Sequence, residues 1–105
     1  MSGGAVNPVR GEAALDLGGE TLALRPSFAA LVAAEEELGP LFALVERAAD
    51  GRLALAELVA LFWHCRHGGP EALTRAALGE AVVAQGIAAV TPALKVLLRQ
   101  ILAGQ

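Results

Sequence analysis

Apolar and polar residues alternate through Glu12–Arg25 on either side of Gly18-Gly19. A period of two is the signature of a strand, and a Gly-Gly pair suits a two-residue turn with positive φ at both positions. Folding about that turn pairs Leu17 with Glu20, Leu15 with Leu22 and Ala13 with Leu24. One face then carries Ala13, Leu15, Leu17, Leu22 and Leu24, and the other Ala14, Asp16, Thr21, Ala23 and Arg25. A lone hairpin is marginal in water, so this one must pack on helices or join another sheet.

Beyond Pro26 the period lengthens to that of a helix. Ser27 as N-cap and Gly39-Pro40 as stop predict helix 1 over Phe28–Leu38, with Phe28, Leu31, Val32, Glu35 and Leu38 on one side. Helix 2 follows over Leu41–Ala48, facing inward through Leu41, Leu44, Val45 and Ala48, and Asp50-Gly51 ends it. Helix 3 is expected over Ala56–His67. It is apolar on more than one side (Leu58, Val59, Leu61, Phe62, Trp63), so it is either central or part of an interface. After Gly68-Gly69-Pro70, Thr74 caps a fourth helix running to Gln85. Gly79 inside it costs about 1 kcal/mol relative to Ala, for which a close packing contact would compensate. Gly86 separates a last helix, Ile87–Leu102, which Pro92 either kinks or, with Thr91 as cap, starts. The expected fold is α+β: one domain with a loose lead-in over 1–8, a β-hairpin over 12–25, and four to five helices over 27–103.

Composition narrows the function. The 105 residues are 55% hydrophobic and 18% charged, which fits a folded domain and not a disordered one. Alanine supplies much of the apolar total but little area, so the core is expected to lean on Leu, Val, Phe28, Phe42, Phe62 and Trp63. The net charge is −3, and the eight Lys and Arg residues are scattered, which argues against nucleic acid as a partner. No wholly apolar run, Leu58–Trp63 included, comes near the roughly 20 residues of a membrane span. The polar, glycine-rich start does not read as a signal peptide, and a single cysteine suits a reducing compartment, so the expected location is cytoplasmic.

Little chemistry is on offer. His64, Cys65 and His67 form the one conspicuous cluster, but Cys65 points about 100° from His64 on a helix, and no second cysteine or third histidine exists. Arg66 and His67 read instead as cations closing the last turn of helix 3. Glu35, Glu36 and Glu37 are consecutive and diverge, so they do not make a paired-acid site. Glu35 reads either as a rim residue or as a carboxylate bonded to a partner or to Arg10. No catalytic residue, cofactor or metal is expected.

Three stretches carry a resemblance: NPVRGE at Asn7–Glu12, LDLGGETLALRPSF at Leu15–Phe28 and FAALVAAEEELG at Phe28–Gly39. In that order they resemble the small tail protein of gene transfer agents and related tailed phages, the family called GTA gene product 10. GRLALAEL at Gly51–Leu58 and AQGIAAVTPALKVLL at Ala84–Leu98 fit as well. The matching positions are Arg10, Gly11, Glu12, Gly19, Leu24, Pro26, Phe28, Leu31, Glu35 and Gly39. Ser27 departs from the Thr more often expected there and keeps the capping chemistry. Ala54 removes one half of a capping box above Glu57, so a ragged start to helix 3 is expected. The resemblance implies a non-enzymatic protein of tail assembly, chaperone-like, that binds tail or tape-measure protein. The alternative is a structural component of the tail or its tube. Candidate contact residues are Arg10, Gly11, Glu12, Phe28, Glu35, Phe62 and Trp63, and a homodimer is a further alternative. One hairpin is little sheet for a tube subunit, which must close a ring with its neighbours.

Overall fold

The structure, a computed structural model, describes residues 12–103. The lead-in over 1–8 lies outside them, as do Arg10 and Gly11. The chain runs β1 (Ala13–Asp16), β2 (Thr21–Leu24), α1 (Phe28–Leu38), α2 (Leu41–Ala49), α3 (Leu55–Cys65), β3 (Arg66–His67), α4 (Arg75–Gln85) and α5 (Ile87–Ala103).

The hairpin takes the expected register: Ala13 faces Leu24, Leu15 faces Leu22, and Leu17 N–H donates to Glu20 O at 2.7 Å. Gly18 and Gly19 both have positive φ, 78° and 127°. Ala13, Leu15, Leu22 and Leu24 are buried, so the inner face is the one the alternation assigns. On the outer face Glu12 and Ala23 are buried as well, and Arg25 Nε donates to Glu12 Oε2 at 2.7 Å.

The hairpin gains a third strand that helix periodicity had hidden. Helix 3 was expected to reach His67 but ends at Cys65, and Arg66–His67 pair antiparallel with Leu24 and Ala23. Arg25 N–H takes up the Cys65 carbonyl at 2.6 Å, and Arg66 already has extended backbone. His67 therefore lies beyond the helix, whereas Arg66 is its C-cap, with backbone N–H and guanidinium both donating to the Trp63 carbonyl. Gly69 follows at φ +86°, where a Cβ would come 2.6 Å from Leu22 Cδ1, so the chain can leave the sheet there only as glycine.

Phe62 fills the centre of the core, with Leu15, Leu22, Leu24, Leu44, Leu61, Leu78 and Leu97 fully buried around it. α3 packs on α1 and α4, α5 on β1 and α4, and α2 on α1 and α5. Helix 3 is thus central. Its start is held by Glu57, whose Oε1 accepts from Ala54 N–H at 3.0 Å and whose other oxygen pairs with Arg47 of α2. The helix begins at Leu55 although Ala54 brings no side-chain acceptor. α5 runs through Pro92, with Thr91 Oγ1 donating to Ile87 O at 2.8 Å.

Candidate protein-binding surface

The orientation of α1 decides the surface. The expected inward stripe was Phe28, Leu31, Val32, Glu35 and Leu38. The helix is instead turned so that Ala34 is buried, with Ala30, Leu31 and Leu38 partly covered beside it. Alanine at a helix contact lets two helices approach closely, and α1 packs on α3. The turn carries Phe28 out to 85% exposure and Val32 to 37%. These two are four residues apart and share one face with Glu36, which is exposed too.

α2 repeats the arrangement. Leu44 points inward, and Phe42 stands 77% exposed with exposed Glu46 one turn further on. Of three phenylalanines, only Phe62 is core, at 0% exposure. The expectation that Phe28 and Phe42 help fill the core is therefore corrected, and Phe62 is no surface contact. Buried leucines and valines close the interior without the other two rings. Among the described residues, neither Glu36 nor Glu46 has a side-chain hydrogen-bond or ion-pair partner.

Glu35 has a local task. Its Oε2 accepts from Leu41 N–H at 3.1 Å, capping α2 where Pro40 has no side chain to do so. Glu37 joins three helices: Oε2 takes Arg75 of α4 at 2.7 Å and Oε1 meets His64 of α3 at 2.8 Å. The Arg75 bond, then the His64 bond, holds its carboxyl down at about 2. Trp63 is half-buried beside this group. Arg66 lies over its ring at 3.5 Å and Arg75 at 5.9 Å, and Arg66 also donates to the Trp63 carbonyl at 2.7 Å. Such stacking of guanidinium on indole occupies the ring within the fold.

Burial pushes the Cys65 thiol up to about 12, so it stays protonated. Among the described residues no three His, Cys, Asp or Glu side chains gather where they could hold a metal ion. No single described helix is long and apolar enough to cross a membrane.

The structure thus separates the sequence candidates. Phe28 is open, Glu35 caps a helix, Glu12 pairs with Arg25, Trp63 lies under Arg66 and Phe62 is interior. Phe42 and Val32 were not singled out as contacts. The signal for them was an apolar residue four positions before a glutamate, Val32–Glu36 and Phe42–Glu46, on helices whose other side already held enough leucine and alanine. Residues 10–104 match the model of a family described as "Phage tail tube protein, GTA-gp10". No curated protein and no solved structure matches the chain.

Proposed function

We propose that this chain, which belongs to the GTA-gp10 phage tail family, is a non-enzymatic assembly protein that holds an apolar helical segment of a tail protein. Membership suggests a role of the tail-assembly-chaperone kind, and the tape-measure protein, long and helical, is the client we assign. The observation that carries the reading is the exposure of Phe28 and Phe42 over a core that is closed without them. Large apolar side chains projecting from adjacent helices suit an amphipathic partner helix, and aromatic residues commonly anchor such contacts. The word "tube" in the family's description fits less well. The sheet has strands of four, four and two residues, which is little edge with which to close a ring.

The test pairs two variants. Phe28→Ala with Phe42→Ala should abolish co-purification of the co-expressed tape-measure protein. The unfolding midpoint should stay near wild type, because exposed truncations usually change stability by no more than about 0.5 kcal/mol. Phe62→Ala should cost roughly 3–5 kcal/mol and lower the midpoint sharply. Undiminished client capture by the double variant would overturn this reading.

A further inference from the structure

The outward side of α5 is the electrostatic counterpart of α1 and α2. Lys95, Arg99 and Leu102 lie at spacings of four and three, on the side opposite buried Val90, Ala93 and Leu97. All three are exposed, Leu102 at 56%. Among the described residues, neither Lys95 nor Arg99 has an ion-pair or side-chain hydrogen-bond partner. Arg25, Arg47, Arg52 and Arg75 are each paired with a carboxylate, and Arg66 is engaged with Trp63. So the two idle cations sit together on one helix face, next to an apolar residue. The faces of α1 and α2 carry the reverse set: idle Glu36 and Glu46 beside exposed Val32, Phe28 and Phe42.

The spacings also match. At about 1.5 Å per residue, Leu102 lies about 10 Å along α5 from Lys95. On α1, Val32 and Phe28 lie about 6 and 12 Å from Glu36. Laid antiparallel with Lys95 opposite Glu36, α5 sets Leu102 between Val32 and Phe28. Within one chain, α5 packs on β1, α4 and α2 with this charged side turned to solvent. We propose that the outward face of α1 and α2 receives the Lys95–Arg99–Leu102 face of α5 from a second copy of this chain. The inference rests on the α1–α2 face being a binding surface, as read above, but not on which client it holds. In this register the second copy covers Val32 and Phe28, so self-association and capture of a client on that face exclude one another.

The test is sedimentation of the full chain over a concentration series, without client. The wild type should gain mass as concentration rises and lose it as salt is added, because the charges are exposed and screened. Lys95→Glu with Arg99→Glu should weaken association roughly tenfold or more, and so should Glu36→Lys with Glu46→Lys. An equal mixture of the two double variants should restore association, because each supplies the face that the other lacks. Circular dichroism of each double variant checks that it remains folded. A wild type that stays monomeric throughout, association untouched by either charge reversal, or a mixture that stays monomeric would each overturn the proposal. In the first case, loss of client capture by the Phe28/Phe42 variant would still leave the client reading standing.

Discussion

At the scale of single residues, Glu37 connects three helices through one carboxylate. Its two oxygens serve Arg75 and His64 separately, so the charged form is the one the fold stabilises. Its folded value, about 2, lies below the ordinary 4.5. The resulting stability is therefore fully present above about pH 4.5, and it is lost as the pH falls toward 2. Replacing Glu37 with Gln should lower the unfolding midpoint at neutral pH. The gap between variant and wild type should close progressively on acidification and vanish at the acid end. Acid titrations followed by tryptophan fluorescence would measure it, since Trp63 lies under Arg66 and near Arg75. A gap that stayed constant with pH would mean that Glu37 acts through packing alone. Cys65, by contrast, behaves as a small apolar core residue.

At the scale of elements, Gly79 shows what a sequence pattern conceals. A glycine within a helix suggests a contact too close for any side chain. A Cβ built at Gly79 meets only Val59, at 3.7 and 3.9 Å, which is ordinary contact. Gly79→Ala should therefore stabilise the protein by about 0.5–1 kcal/mol, read as a raised denaturation midpoint with an unchanged slope. A loss of stability would mean that α3 and α4 cannot accommodate even one methyl group. The hairpin was legible because its alternation, its Gly-Gly turn and its register all agree. The four longer helix caps were legible too, at Ser27, Gly39, Thr74 and Gly86. β3 was not, because two residues carry no period and Arg66–His67 extend an apolar helical run without a break. The rotation of α1 was hidden for another reason. Sequence reading weights Phe28 and Val32 above Ala30 and Ala34, whereas the covered side of α1 carries Ala34, with Ala30, Leu31 and Leu38 beside it. The candidate site moved with that helix: it lies on the α1–α2 exterior and not along α3, where Phe62 and the buried leucines meet one another.

At the scale of the whole molecule, the question is whether the protein leaves the tail or remains in it. A permanent subunit normally presents a large, apolar, continuous interface, and charged residues are depleted from its centre. Here the exposed aromatics stand one or two turns from unpaired glutamates, and, among the described residues, the idle cations Lys95 and Arg99 lie on α5. Such mixed faces suit contacts that form and release, with charge setting the rate and selectivity of encounter. Two possible occupants of one face, client and second copy, also suit a cycle of capture and discharge better than fixed incorporation. The expected outcome is that purified particles contain no fixed complement of this protein, while lysates of assembling cells contain it bound to client. Quantitative mass spectrometry of both fractions, with the tail tube subunit as internal standard, provides the measurement. A constant ratio of this protein to the tube subunit across preparations, resistant to salt washing, would place it in the particle. Exposed Phe28 and Phe42 would then be the buried centre of a permanent tail contact, and the assembly role proposed here would be wrong.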